Sequence, residues 1–395
     1  MRKPTPAPLA AFYLTNFAVL GIYLPYFTLY LQGLGMTAWQ IGVLVAAVPI
    51  GKILCGPLWT LWADRTGMGK GLAILSTALA AAAFALALFA DRFAALCIIL
   101  YLYAALVAPQ LPIVEAITLD LAERHRWQYG RIRAWGSVGF IVASLLGGVL
   151  FDLYPLRWVV PVVVALMVLN LAATALLPSG DTPHASRDDA PRARPSAVGV
   201  VPFFACTLLM QASHGAYYAF FSIVLEEAGY RRGTIGALWA SGVVAEIVTM
   251  VGAGWLLARL GVAALFTLCL ALAVLRWGIC ASTVWLPAIM AAQLLHAFTF
   301  GAFHVAGVIG THRLFPRSLR ASGQSLYSGL TYGAGNVIGF LGAGVLFGWG
   351  GTPWLFGVSA ATATLGLACS LPLWRVGALR SPGPPALAAI PGGID

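Results

Sequence analysis

Two oppositely charged residues, Lys52 and Glu246, each interrupt a long apolar stretch of the sequence. They occupy matching positions in two halves of the chain, because the offset of 194 residues that aligns Gly21 with Gly215 also aligns Lys52 with Glu246. A charge at mid-bilayer costs about 2.5–3.5 kcal/mol on insertion scales, so we expect both residues to be kept for function. A polar cavity between two related halves, as in transporters, would explain them.

Glu246 is predicted to carry a proton. It lies twelve residues into an apolar span, where the protonated acid is favoured because the anion loses its hydration. It could take up a proton on one side of the membrane and release it on the other; a neutral or ion-paired structural acid is the alternative. Lys52 could attract an anionic solute group, or pair with Glu246 until protonation or solute binding breaks the contact.

Other polar residues in the apolar spans could bind a solute or relay protons. Arg276 could hold a carboxylate through two parallel hydrogen bonds, or extend towards the outer membrane interface. His296 and His304 lie eight residues apart on one helix face and are assigned with Glu246 to proton coupling. His214, in the seventh span, is assigned with Arg276 and Lys52 to solute binding. Each histidine could instead be a hydrogen-bonded core residue.

Aromatic residues at matching positions of the first and seventh spans could line a solute cavity. Tyr23, Tyr26 and Tyr217 would suit a ring-bearing or sugar-like solute, with ordinary packing or interface anchoring as the alternative. The six cysteines fall within spans and form no close pair, so we predict no metal and no cofactor. The chain has no phosphate-binding loop and no nucleophile–base constellation, so we expect neither ATP-driven transport nor an enzyme.

Charged residues near the predicted inner ends of spans could form a conformational latch. Glu115, near the end of the fourth span, faces Arg131 and Arg133 at the start of the fifth. Asp64 and Arg65 follow the second span. Simple anchoring of helix ends is the alternative.

The elements that must position these residues are apolar helices. The chain of 395 residues is 60% hydrophobic and 9% charged, which excludes a soluble globular domain. We predict spans near 9–32, 39–62, 72–90, 94–119, 131–153, 157–178, 198–225, 234–258, 263–281, 283–311, 324–347 and 351–374. The predicted fold class is an all-α membrane protein with about twelve transmembrane helices in two pseudo-symmetric six-helix bundles.

One break in composition divides the chain. Residues 179–197 are polar and proline-rich, which predicts a cytoplasmic linker between an N-terminal bundle (1–178) and a C-terminal bundle (198–374). Residues 375–395 are rich in Pro, Gly and Ala and are predicted to be a disordered cytoplasmic tail.

The basic residues set the predicted orientation. If both termini are cytoplasmic, 17 Lys and Arg residues lie inside and 4 lie on outer loops. This is the distribution expected of a multi-pass protein of a bacterial inner (plasma) membrane. Because the net charge of +10 alternates by loop and forms no single patch, nucleic acid is not an expected partner.

Short strings in both halves are similar to a known family. The loop DRTG at 64–67 resembles the signature loop of the major facilitator superfamily, although Thr60 stands where a glycine is usual. YGRIRAWGSVGF at 129–140, LHAFTFGAFH at 295–304 and GQSLYSG at 323–329 resemble its phenylpropionate-permease-like branch, kin of the oligosaccharide/proton symporters. The resemblance implies twelve spans in two bundles and solute–proton symport by alternating access.

The resemblance also implies roles for particular residues. In related lactose-type symporters a span-eight glutamate, a span-nine arginine and a span-ten histidine serve binding and coupling. Glu246, Arg276 and either His296 or His304 are similar in position. Those symporters also have a span-ten glutamate that carries the proton. Span ten here has no acid, which leaves Glu246 as the expected carrier.

The sequence therefore predicts a secondary active transporter of a small organic solute, first of all an aromatic or other organic carboxylate, working by alternating access and proton symport. The expected partners are the solute, protons and the lipid bilayer, and the protein is expected to act as a monomer. The alternatives are a nucleoside or sugar symporter, a proton-coupled exporter, or a transporter-like membrane sensor.

Overall fold

The protein is described by a computed structural model that covers residues 5–178, 197–316 and 319–380. Within these ranges it is helical and contains no strand. The α-helices are α1 (Ala7–Gly33), α2 (Ala38–Thr66), α3 (Gly69–Ala85), α4 (Phe93–Val107), α5 (Gln110–His125), α6 (Tyr129–Leu153), α7 (Val159–Ala175), α8 (Ala197–Ser213), α9 (Gly215–Glu227), α10 (Arg232–Ser282), α11 (Leu286–Leu294), α12 (Phe303–Leu314), α13 (Arg320–Ser328), α14 (Asn336–Ser370) and α15 (Gly377–Arg380). Two π-helical segments, Ala297–Ala302 and Gly329–Gly335, and three 3₁₀ turns, Leu86–Phe89, Leu156–Trp158 and Leu371–Arg375, complete the described elements.

Ten helical segments of the described chain are long and apolar enough to cross a membrane. Two of them, Arg232–Ser282 and Ser322–Arg375, have 51 and 54 residues. A straight helix of that length would measure about 75 Å, against a hydrocarbon core of about 30 Å. Each is broken by glycine with non-helical dihedrals, at Gly261 and at Gly350–Gly351, so each crosses twice. This agrees with the predicted twelve spans, and the all-helical fold class is confirmed.

The internal repeat is visible in the backbone. Gly35 and Gly229, 194 residues apart, both have positive φ, 80° and 85°. Gly67 and Gly261, at the same offset, have φ of 66° and 74°. Residues with a Cβ rarely adopt this region, so glycine at these four places ends or interrupts a helix at corresponding points of the two halves.

The described residues form two compact units. The first contains 5–178 and 229–240; the second contains 197–228, 241–316 and 319–380. Of the predicted linker, 179–196 lies outside the described residues. The predicted tail starts in regular structure, because Gly377–Arg380 is helical and Leu379 is fully buried. The rest of that tail, 381–395, lies outside the described residues.

In the first unit α1 packs against α6 and α7, and α3 packs against α4 and α7. Small residues allow the closest of these approaches: a Cβ on Gly139 would lie 2.0 Å from the Leu14 carbonyl oxygen. A buried polar group also joins the helices, because Asn170 Nδ2 donates to the Phe12 carbonyl at 3.2 Å. The small face of α6 therefore serves packing within its own unit.

The start of α10 belongs to the first unit. Asp152, near the end of α6, accepts hydrogen bonds from the backbone N–H groups of Arg232 at 2.9 Å and Gly233 at 3.1 Å. Tyr26 is fully buried beside them and donates to the Ser144 carbonyl at 2.6 Å. A carboxylate at a helix N-terminus satisfies unpaired donors and the helix dipole together.

In the second unit α14 packs against α8 and α9. At the closest approach a Cβ on Gly339 would lie 2.6 Å from the Ala212 carbonyl oxygen and 3.0 Å from the Gly215 Cα. Both contacts are to backbone, which a side-chain rotation does not relieve. Gly342, on the same helix, would place its Cβ in open space, with nothing within 4 Å.

These two glycines allow a matched test of the packing. Gly339→Ala should lower the free energy of unfolding by about 1–3 kcal/mol, because two backbones must separate. Gly342→Ala should instead raise it by about 0.5–1 kcal/mol, since alanine loses less entropy in a helix. Thermal unfolding of the purified variants in detergent measures both changes. Equal shifts for the two variants would contradict the close contact.

Candidate solute-binding site

Arg276 is the centre of a polar cluster in the second unit. It lies on the part of α10 that follows the break at Gly261, and its side chain is fully buried. Its two Nη nitrogens bond to groups inside the protein, so the alternative in which Arg276 extends to the outer interface is wrong. Among the described residues no carboxylate is within ion-pairing distance of it.

Aromatic rings cover the Arg276 guanidinium. Its Cζ lies 4.5 Å from the ring centroid of Tyr217 and 4.4 Å from that of Trp277. Tyr217 and Trp277 are themselves buried. Contacts of this kind stabilise a cation through the negative faces of the rings. They leave the edges of the guanidinium, where the N–H groups point, for hydrogen bonding.

The Nη1 end of Arg276 is surrounded by neutral acceptors. It lies 3.0 Å from His296 Nδ1, 3.0 Å from Thr299 Oγ1 and 3.3 Å from His214 Nε2. All three residues are at most 5% exposed. Because arginine can only donate, the two histidine nitrogens must be acceptors in this arrangement.

The other end of Arg276 is bonded to an amide. Nη2 donates to Gln293 Oε1 at 3.1 Å, and Gln293 Nε2 in turn donates to Tyr217 Oη at 3.2 Å. Arg276 Nε is buried and has no hydrogen-bond partner. A buried N–H without an acceptor is costly, and this one is available to an acceptor from outside the cluster.

The contacts of Arg276 fix the tautomers of both histidines. His214 accepts at Nε2, so its proton is on Nδ1, which is 2.8 Å from the Met210 carbonyl oxygen. His296 accepts at Nδ1, so its proton is on Nε2. Both imidazoles are therefore neutral here, because a second ring proton would point at Arg276.

Glu246 lies beside His296. Its Oε2 is 3.9 Å from His296 Nε2, the nitrogen that carries the proton, and its side chain is 18% exposed. The glutamate packs on Gly301, where a Cβ would come within 3.2 Å of Glu246 Cγ. The acid predicted from the sequence is thus connected to Arg276 through one imidazole ring.

The tenth span changes geometry at this site. It is α-helical over Leu286–Leu294 and π-helical over Ala297–Ala302. A π-helical turn alters the register of the side chains that follow it, and such turns are frequent at functional sites. Thr299 and Gly301, which contact Arg276 and Glu246, both lie on this turn.

Two residues of the cluster, Gln293 and Thr299, are not among the candidates predicted from the sequence. Both are about 1% exposed and both bond to Arg276. A signal was present: they lie three residues before and three after His296 in an apolar span. Polar side chains at that interval share one side of a helix.

His304 lies on the same span, eight residues after His296, and does not bond to Arg276. Its Nδ1 lies 2.7 Å from Tyr332 Oη, on the second π-helical segment. The ring of Phe300 stacks between those of His296 and His304, at centroid distances of 5.3 Å and 6.3 Å. The proton-coupling role of His304 stays a prediction.

The first unit holds the remaining solute-binding candidates. Tyr23 stacks on Phe27 at 4.7 Å, and its buried Oη has no hydrogen-bond partner. Tyr26 is engaged with Ser144, as described above. The Lys52 side chain is exposed and interacts electrostatically with Glu115. The roles of Tyr23, Tyr26 and Lys52 in solute binding stay predictions.

One ion pair of the predicted latch is present. Arg133 Nε lies 3.7 Å from Glu115 Oε1, and the Arg133 guanidinium also stacks on Phe17 at 4.1 Å. Arg131 and Arg65 are exposed. The side chain of Asp64 lies outside the described part of the chain. Whether this group latches one conformation stays a prediction.

The residues that the structure describes contain no group of three or more His, Cys, Asp or Glu side chains arranged to hold a metal ion. The Arg276 cluster itself is cationic and aromatic. It is suited to a negatively charged group attached to an apolar body.

Comparison with known proteins supports a transport role. A family profile described as the MFS_1 like family matches residues 7–358. The "Probable 3-phenylpropionic acid transporter" of Escherichia coli (strain K12) is 31% identical over 353 residues, which cover 86% of this chain and 90% of that protein. The "Maltose permease" of Geobacillus stearothermophilus is 25% identical over 332 residues, covering 82% and 83%.

Solved structures share the fold. A crystal structure of a mutant form of the nucleoside transporter NupG superimposes with a TM-score of 0.81. The alignment covers 93% of this chain and 99% of that one, at 16% sequence identity. An identity this low shows the common fold alone.

Proposed function

The chain belongs to the MFS_1 like family, as its sequence strings predicted, and on that premise we propose that it carries a small aromatic carboxylate across a bacterial inner membrane in symport with a proton. The transport would proceed by alternating access. Arg276 would bind the carboxylate, and Glu246 with His296 would carry the proton.

The observation that carries this proposal is the buried, uncompensated charge of Arg276. The groups that accept hydrogen bonds from it include two neutral imidazoles, one hydroxyl and one amide, and its Nε has no acceptor. A buried cation without a counter-ion is strongly disfavoured. A carboxylate delivered by the solute would supply the missing charge and accept from the unpaired N–H.

The rings around the cluster suit an aromatic solute. Tyr217, Trp277 and Phe300 lie beside the groups that hold Arg276 and His296. Such rings supply apolar contact area, while a few polar groups fix the orientation of the ligand. The relative named for 3-phenylpropionic acid points to the same class of solute.

The solute must open the cluster to reach Arg276, because the guanidinium is fully shielded in this structure. That requirement fits a carrier, whose site is exposed to each side in turn. In one conformation the neutral network described above holds the guanidinium. In another, the carboxylate replaces part of that network.

The tautomer of His296 suggests how a proton is coupled to the solute. Protonation of its Nδ1 would turn the contact with Arg276 Nη1, 3.0 Å long, into a repulsion between two donors. The resulting imidazolium would face Glu246, 3.9 Å away. A proton arriving at Glu246 or His296 would therefore change how firmly Arg276 is held, and with it the affinity for the carboxylate.

Transport by the purified protein in lipid vesicles tests the proposal. With an acidic exterior, the initial rate of radiolabelled 3-phenylpropionate uptake should exceed both the rate at equal pH and the passive rate of protein-free vesicles. The amide 3-phenylpropanamide, maltose and uridine should show no protein-dependent uptake. Uptake of maltose or uridine without 3-phenylpropionate would favour a sugar or nucleoside symporter and overturn the carboxylate assignment.

A further inference from the structure

We propose that Gln293 makes the site select an anionic solute. Its neutral amide occupies a position where an acidic side chain would neutralise Arg276, and so it leaves the positive charge of Arg276 for the solute. The inference rests on the proposed function and deepens it, since it names the residue that makes the site select anions. It assigns Gln293 a positioning and specificity role that is separate from proton transfer.

The first support is the position of Gln293. It is 1% exposed, and its two amide atoms bond to different residues: Oε1 accepts from Arg276 Nη2 at 3.1 Å and Nε2 donates to Tyr217 Oη at 3.2 Å. A flipped amide would turn its NH₂ group towards the guanidinium, two donors facing each other. The amide orientation is therefore determined by Arg276.

The second support is electrostatic. Glutamate has nearly the shape of glutamine, so a carboxylate at position 293 would have an oxygen about as close to Arg276 Nη2 as the present 3.1 Å. In a buried site such a pair would be a charge-assisted contact between opposite charges. The positive charge of Arg276 would then be satisfied inside the protein. The neutral amide of Gln293 accepts the hydrogen bond from Nη2 but leaves the positive charge of Arg276 uncompensated.

The third support is the edge of the guanidinium that neither the aromatic rings nor the contacts of Nη1 occupy. The rings of Tyr217 and Trp277 cover it, and Nη1 points at His214, His296 and Thr299. The edge formed by Nε and Nη2 has two parallel N–H directions, the arrangement that binds a carboxylate through both oxygens. On this edge Nε has no acceptor and Nη2 donates to Gln293. Gln293 thus borders the edge that a solute carboxylate would use.

The test compares two probes that differ in charge. 3-Phenylpropionate and 3-phenylpropanamide have the same ring and chain, and their binding to purified protein is measured by thermal shift and by tryptophan fluorescence. Gln293→Glu should weaken 3-phenylpropionate binding by about 10- to 100-fold, the range for loss of a hydrogen-bonded charged contact. It should leave 3-phenylpropanamide binding equal to or tighter than that of 3-phenylpropionate, so that the wild-type preference is lost or reversed.

Two further variants separate charge from hydrogen bonding and from folding. Gln293→Met keeps the volume and removes both hydrogen bonds without adding charge, so it should keep the preference for 3-phenylpropionate. Gln110→Glu places the same change at a buried glutamine of the first unit, which bonds to Thr77 at 2.8 Å, and should leave the preference unchanged.

The possible results separate failure of the carboxylate assignment from failure of the role of Gln293. If the wild-type protein binds both probes equally, or neither, the carboxylate assignment of the proposed function fails. If the wild-type protein prefers 3-phenylpropionate and folded Gln293→Glu keeps that preference, the role of Gln293 alone fails. If Gln293→Glu does not fold, loss of the preference in folded Gln293→Met would overturn the charge argument, and its retention would uphold it.

Discussion

Arg276→Lys is expected to weaken 3-phenylpropionate binding by about 100-fold, although it preserves the positive charge. A lysine ammonium is a compact donor on a flexible stem. It cannot lie between the rings of Tyr217 and Trp277 and at the same time donate to His296 at one end and Gln293 at the other. The two parallel N–H groups proposed for the carboxylate would also be lost.

The measurement is equilibrium binding to the purified variant, with a second stacked arginine as the control. Arg259 lies over the ring of Trp255 at 4.3 Å but is exposed, so Arg259→Lys makes the same substitution away from the cluster. It should leave binding unchanged. Wild-type affinity in Arg276→Lys would mean that the guanidinium geometry does not bind the solute. An equal loss for 3-phenylpropionate and for its amide would indicate a structural role only.

Glu246→Gln is expected to abolish the part of uptake that depends on a pH gradient, by a factor of about 100 or more in initial rate, while solute exchange at equal pH continues. The amide keeps the size and hydrogen bonding of the acid, and the neighbouring His296 Nε2 at 3.9 Å retains a partner. What the variant loses is a group that can take up and release a proton.

Two assays on one vesicle preparation separate these activities. Gradient-driven uptake is measured as an initial rate above that of protein-free vesicles, and exchange is measured with labelled solute outside and unlabelled solute inside. Glu123→Gln, at an exposed acid, serves as the control and should behave as the wild-type protein. Undiminished gradient-driven uptake in Glu246→Gln would refute the proton-carrier role. Loss of both activities would instead assign Glu246 to solute binding.

Part of the site was accessible from sequence because a charge or imidazole in an apolar span is conspicuous. Arg276, His214, His296 and Glu246 were identified in this way, and the structure places all four in one cluster. Gln293 and Thr299 are uncharged, and polar residues of that kind are common in membrane helices. What distinguishes them is their bonds to Arg276, which depend on the tertiary structure.

The internal repeat determines the positions of Lys52 and Glu246 but not their neighbours. Their matching positions follow from the repeat of 194 residues, which the backbone also preserves at Gly67 and Gly261. Their neighbours differ, since Glu246 lies beside His296 and Lys52 interacts with Glu115. A duplication conserves the path of the chain, whereas the neighbours of a side chain depend on which residues each copy has since acquired. Direct pairing of Lys52 with Glu246 stays a prediction.

The helical class, the twelve spans and the charged candidates followed from the sequence alone, because hydropathy, length and loop charge are properties of consecutive residues. The tertiary structure decided which candidates meet. His214 and Thr299 are 85 residues apart, and Arg276 lies between them in the chain, so their contacts depend on how three separate spans pack. The π-helical turn over Ala297–Ala302 sets the final register, and local sequence patterns do not determine such a turn.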